Sequence, residues 1–206
     1  MESKNESSMN DAFIYVRDVF RNCVRILLSA DPIMEERGFG RIKWDHIFDM
    51  EPITNIWRSL QLINLNHADA LFPGYLFHQY KIKEVQGIQT ILTICTAPWR
   101  KFEPEKFHPC CCATIASYTS VPNDIYWIGV IPVWQNNNLT DGKIHNYIDQ
   151  PGLISEQLHH KFNELVMKDG QLFGISVPLE EITSSDDLKY KVVDPLLTYY
   201  LAIGNV

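Results

Sequence analysis

The sequence predicts an α+β domain in which a mainly antiparallel meander sheet of about five strands packs against an N-terminal helix and C-terminal helices. Two observations carry this prediction: strand-length apolar runs in the middle of the chain, and helical periodicity of apolar residues towards both ends. The runs are rich in Val, Ile, Thr, Cys and aromatic residues, which favour a pleated, half-buried surface. They cover residues 75–83, 88–97, 110–119 and 125–134.

The connections between these runs favour antiparallel neighbours. Residues 84–87 include a glycine and residues 121–124 read Val-Pro-Asn-Asp, which is the composition of tight turns. The charged connection 98–109 contains three prolines and predicts an exposed loop. Because Pro132 cannot donate a ladder hydrogen bond, the fourth run is expected to be an edge strand or to bend there. A fifth strand is predicted at 171–177.

An N-terminal amphipathic helix is indicated by the helical spacing of Val16, Phe20 and Leu27. Residues 1–9 are polar and are expected to form a disordered tail, so that the helix begins at the Asn-Asp pair that follows. The remainder, 10–206, is expected to be a single globular domain. Pro32 either kinks one long helix or restarts a short one, which the glycine at position 38 would end.

Two further helices are predicted towards the C-terminus. The first follows Ser155 as an N-cap and extends to about residue 168. The second begins at Ser184, which forms a capping arrangement with Asp187. Pro195 either kinks this second helix or starts a new one that Asp194 caps.

Length and composition point to an ordinary intracellular domain. The chain has 206 residues, of which 46% are hydrophobic and 21% charged, enough for a substantial core. Its net charge of −7 makes nucleic acid an unlikely partner, because phosphate binding relies on clustered Lys and Arg. The polar N-terminus lacks a signal-peptide core, and no apolar run approaches the roughly 20 residues of a membrane span. Five cysteines, three of them adjacent, do not form a disulfide framework, so we expect a cytoplasmic location without a membrane.

His78 is the candidate polar binding residue of the sheet. It lies in the first predicted strand, on the same side as Tyr80 and Ile82. The structural interpretation is a buried histidine whose hydrogen-bonding groups are satisfied within the fold. The functional interpretation is a polar anchor in a pocket beneath residues 38–70, an aromatic-rich segment that is expected to cover the core and to include a short helix at 53–61.

Three further clusters of residues have side chains suited to metal or acid–base chemistry, and for each cluster a structural interpretation is favoured. In a strand, Cys111 points away from Cys110 and Cys112, so three contiguous sulfurs cannot converge with His108 on one ion. A second group sits in a short acidic stretch and a third lies at helical spacing on one predicted face. These two groups are Asp45, His46, Asp49 and Glu51, and Glu156, His160 and Glu164. No metal site is predicted, and the cofactor is left unknown.

Aromatic side chains suggest how the protein acts. They make up 12% of the chain, more than one core layer holds, so some are expected to form an exposed surface. The expected function is an interaction or ligand-binding protein in which Trp127, Trp134 and His78 bind a protein partner or a small ligand; a homodimer is compatible with it. The alternative is a hydrolytic or metal-dependent enzyme with His, Asp and Glu groups converging in a pocket beside the sheet. The expected aromatic surface comprises Trp99, Tyr126, Trp127, Trp134, Tyr199 and Tyr200.

Overall fold

A computed structural model describes residues 3–42, 76–82, 88–98, 107–118, 139–147 and 172–204 of the chain. The described residues form an α+β fold, as predicted, in which helices at the two ends of the chain pack on an antiparallel sheet. The helices are α1 (Ser3–Glu35), α2 (Ser185–Leu188) and α3 (Asp194–Gly204). The strands are β1 (Phe39–Arg41), β2 (Leu76–Ile82), β3 (Gln89–Ala97), β4 (Cys110–Tyr118), β5 (Ile144–Asn146) and β6 (Phe173–Pro178).

The sheet has six described strands in the order β1-β2-β3-β4-β6-β5, and every neighbouring pair is antiparallel. The consecutive strands β2, β3 and β4 form the predicted meander, and the predicted fifth strand is β6, which pairs with β4. Strands β1 and β5 have only three residues each, too few to display an alternating pattern, and the sequence did not predict them. The predicted strand at 125–134 and the predicted helices at 53–61 and 155–168 lie outside the described residues.

Helix α1 is one continuous helix with Pro32 inside it, so the single-helix alternative is the one the structure supports. It begins at Ser3, ahead of the Asn-Asp pair at which the sequence predicted its start. The amide of Glu36 donates to the carbonyl of Pro32 at 3.0 Å, which continues the helical pattern past the proline. Gly38 then ends the helical segment with a φ of 79°, a conformation that favours glycine.

The core lies between α1, the C-terminal helices and one face of the sheet. On that face successive strands align His78, Ile94, Ala113 and Ile175 across β2, β3, β4 and β6. Leu27 of α1 is 2% exposed in this core, and its truncation to Ala would cost about 2 to 5 kcal/mol. Of the three residues that the sequence named for this face, Leu27 is fully buried and Phe20 is partly buried against the core. The other α1 side chains buried there lie nearer the end of the helix than predicted: Cys23, Ile26, Ala30, Ile33 and Met34.

The C-terminal segment begins with the predicted capping box. The Ser184 hydroxyl accepts from the amide of Asp187 at 3.1 Å, and the Asp187 carboxylate accepts from the amide of Ser184 at 3.1 Å. A π-helical turn, Lys189–Val193, precedes α3, and the amide of Asp194 donates to the carbonyl of Lys189. Because Pro195 has no amide hydrogen, the wider turn before it leaves no backbone donor of this residue without a partner. Among the described helices, none is long and apolar enough to cross a membrane.

The second face of the sheet is also buried at its centre, and its chemistry is more polar. Gln79 donates to the hydroxyl of Thr93 at 3.0 Å across β2 and β3. On β6, a Cβ at Gly174 would stand 2.5 Å from Cε2 of Tyr147, so only glycine lets this aromatic ring lie on the strand. This face therefore depends on hydrogen bonds and close backbone approach as well as on apolar contact.

Candidate functional site

His78 is the centre of a hydrogen-bonded network that joins three elements. It is 6% exposed on β2 and lies between α1 and β1. Arg41 of β1 places Nη2 2.8 Å from Nε2 of His78. Because a guanidinium can only donate, Nε2 must accept this bond, and the imidazole is therefore the neutral tautomer that carries its proton on Nδ1.

The carboxylate of Asp31 in α1 is the common acceptor of the network. Nδ1 of His78 lies 3.2 Å from its Oδ1, and the hydroxyl of Tyr80 donates to the same oxygen at 2.8 Å. Nη1 of Arg41 donates to the other carboxylate oxygen at 2.8 Å. Each nitrogen of the His78 ring thus has a partner, and the carboxylate binds the strand pair β1–β2 to the helix.

The electrostatics keep this histidine neutral. Burial lowers the pKa of His78 below its ordinary value of 6.5, and the positive charge of Arg41 lowers it further, against the opposing effect of Asp31. Burial, with the hydrogen bond to Asp31, raises the pKa of Tyr80. A general base needs a nitrogen that can reach a substrate proton, but Nε2 of His78 faces the Arg41 guanidinium. The arrangement suits a structural role rather than proton transfer.

A separate pocket lies at the end of the sheet where β3 finishes, β4 starts and β6 finishes. Its volume is about 560 Å³, and the N-terminal half of α1 forms one wall. Helix residues at i, i+4 and i+7 face it: Tyr15, Val19 and Asn22. Val16, Phe20, Pro98, His108, Pro109, Thr140, Pro178, Leu179 and Glu180 also line it.

The pocket wall is mainly apolar, with a few polar groups. Three prolines, at positions 98, 109 and 178, contribute fixed φ angles and no amide donor to be left unsatisfied against an apolar surface. The amide of Leu179 donates to the carbonyl of Pro109 at 2.9 Å, which ties the β4 and β6 sides together. Asn22, His108, Thr140 and Glu180 supply hydrogen-bonding groups. Convergence of a few polar groups on an apolar cavity is typical of a small-molecule site.

The cysteine cluster is divided between the faces of β4, as the sequence predicted. Cys111 belongs to the core beneath α1, whereas Cys110 and Cys112 belong to a cluster on the opposite face that also includes Cys95. Burial raises the pKa of the Cys95 and Cys111 thiols, so they are protonated and unreactive near neutral pH. Within the described part of the chain, no three His, Cys, Asp or Glu side chains are grouped to hold a metal ion.

His108 lines the pocket, and its side chain is exposed. Of the expected aromatic surface, Tyr199 is 42% exposed and meets the ring of Phe173 edge-on at 5.3 Å. Tyr200 is half-buried, and its hydroxyl contacts that of Ser117. The other aromatic candidates, Trp99, Tyr126, Trp127 and Trp134, lie outside the described residues. So do the proposed chemical groups Asp45, His46, Asp49 and Glu51, and Glu156, His160 and Glu164.

Two features of these sites escaped the sequence analysis. The partners of His78 are not evident from the sequence, because Asp31 and Arg41 lie far from His78 along the chain. For the pocket, the sequence contained one indication. The strands predicted at 88–97 and 110–119 are antiparallel neighbours. The end of the first and the start of the second therefore meet at the same end of the sheet, which places Pro98 near Pro109.

Comparison of the chain with protein-family models, with curated proteins and with solved structures yields no match.

Proposed function

We propose that this protein is a ligand-binding protein that takes a small, largely apolar molecule into the pocket between α1 and the ends of β3, β4 and β6. The observation that carries the proposal is the pocket itself: about 560 Å³, with an apolar wall and a few polar groups. Small-molecule sites typically enclose about 300 to 1,000 Å³ with this kind of lining.

The rigidity of the pocket wall favours binding further. Leu179 is 6% exposed, and the hydrogen bond from its amide to the carbonyl of Pro109 fixes the β6 side of the pocket. Helix α1 is anchored by its buried core residues, which begin at Cys23, just after the pocket residues of the helix. A wall that is already ordered loses little conformational entropy when a ligand enters. Contact with a protein partner through Trp127 and Trp134, and a homodimer, remain separate predictions.

The test is titration with a neutral apolar fluorescent dye, N-phenyl-1-naphthylamine, in the wild-type protein and in two variants. Val19→Trp places a large ring in the pocket, and we expect dye affinity to fall by about tenfold, equivalent to about 1.4 kcal/mol. The matched control is Val24→Trp on the same helix, because Val24 is 38% exposed and is not among the described lining residues. It should bind as the wild type does.

Urea unfolding of both variants establishes that each is folded under the conditions of the titration. Wild-type affinity in Val19→Trp, or an equal loss in Val24→Trp, would show that the dye binds elsewhere and would overturn the proposed pocket.

A further inference from the structure

The charges around the pocket indicate what kind of ligand it takes. Among its described lining residues there is no Lys or Arg, and the one carboxylate is that of Glu180. Glu180 lies on the 3-10 turn Leu179–Glu181, directly after β6, and its side chain is exposed. Within the described part of the chain, no cation forms an ion pair with it. The described part of the pocket rim thus carries a carboxylate that no described Lys or Arg side chain pairs with.

This negative charge discriminates between ligands of opposite sign. An anionic ligand would meet the Glu180 carboxylate without an arginine or lysine from the described wall to offset the repulsion. A cationic ligand would pair with the carboxylate instead. Tyr15 and Phe20 also line the pocket, and aromatic rings attract cations through their faces. The net charge of −7 adds a long-range attraction in the same direction.

We infer that the ligand is an amine with an apolar body, whose protonated nitrogen pairs with the carboxylate of Glu180 while the body packs on the apolar wall formed by α1 and the three prolines. This inference rests on the proposed function, because it specifies the ligand of the same pocket. Asn22 and Thr140 offer side-chain oxygens that accept further hydrogen bonds from the ammonium group.

A matched series of eight-carbon probes tests the ligand class. Octylammonium, 1-octanol and octanoate share one alkyl chain and differ in the charge of the head group, so their ability to displace the dye at pH 7 and low salt isolates the electrostatic contribution. We expect octylammonium to bind most tightly and octanoate least, with about a fivefold difference between octylammonium and 1-octanol, the scale of a partly solvated ion pair.

Two isosteric variants complete the experiment. Glu180→Gln should bring octylammonium to the affinity of 1-octanol, while Glu181→Gln, the adjacent exposed carboxylate outside the described lining, should keep the wild-type order. Octanoate binding as tightly as octylammonium, or an unchanged preference in Glu180→Gln, would overturn the amine inference. The proposed pocket would still stand in that case, because its own test is the loss of dye binding in Val19→Trp.

Discussion

The two described histidines that lie near α1, His78 of β2 and His108 just before β4, differ in what surrounds the ring. His78 contacts Asp31, Arg41 and Tyr80, is 6% exposed, and has a hydrogen-bond partner at each ring nitrogen. His108 is exposed at the rim of an apolar cavity. Along α1, Asn22 of the pocket and Asp31 of the network are nine positions apart, roughly 14 Å of helix. The first arrangement is complete without a ligand, whereas the second presents an open concave surface.

This difference teaches that a histidine is informative about function only together with its surroundings. A buried imidazole with both nitrogens satisfied stabilises the elements that it joins, because breaking the network would leave buried polar groups without partners. An imidazole at a cavity rim costs little to alter. The comparison therefore predicts that substitutions at the His78 network change stability, and that substitutions at the pocket change binding.

The largest expected effect is that of His78→Ala. The substitution removes a buried ring and leaves Nη2 of Arg41 without the acceptor that it has at 2.8 Å, so we expect the free energy of unfolding to fall by about 3 kcal/mol. Urea unfolding measures this loss. The matched control, His108→Ala, should change stability by less than about 0.5 kcal/mol, since the side chain is exposed. Equal losses in the two variants would remove the distinction.

Tyr80→Phe should have a smaller effect that isolates one bond. It deletes the hydroxyl that donates to Asp31 at 2.8 Å and preserves the buried ring, so we expect a loss of about 1 to 1.5 kcal/mol in urea unfolding. Tyr190→Phe is the control, because that side chain is 62% exposed. An unchanged free energy of unfolding in Tyr80→Phe would mean that the carboxylate of Asp31 is satisfied without this donor.

The smallest expected effect is a pH dependence that originates at His78. Because its pKa is lower in the folded protein than the ordinary 6.5, the unfolded chain takes up the proton first. Its contribution to stability is complete above pH 6.5 and is lost as the pH falls from 6.5 towards the folded-state pKa, by at most about 1.4 kcal/mol per pH unit.

This pH dependence is measured as the change in unfolding free energy between pH 7.5 and pH 5.5. His78→Gln, which cannot titrate, should show a smaller decrease than the wild type. An identical decrease in wild type and His78→Gln would assign the effect to other groups.

Local chemistry in the sequence determined much of the described fold. The strand-length, β-rich apolar runs at 75–83, 88–97 and 110–119 became β2, β3 and β4 with boundaries shifted by one residue at most. The alternation of a strand also assigned Cys111 to one face and Cys112 to the other. Gly38 and the Ser184 capping box acted within a few residues of their positions. In each case the deciding interaction is between near neighbours in the chain, so the sequence displays it.

Tertiary structure alone decided the two sites. His78 meets Arg41 across 37 residues and Asp31 across 47, and nothing in the intervening sequence records these distances. The pocket likewise unites α1 with the ends of three strands. Its apolar wall is invisible as a pattern because each segment contributes only a few residues. Long-range contacts of this kind depend on strand order and helix placement, which are set by the burial of whole faces rather than by any local motif.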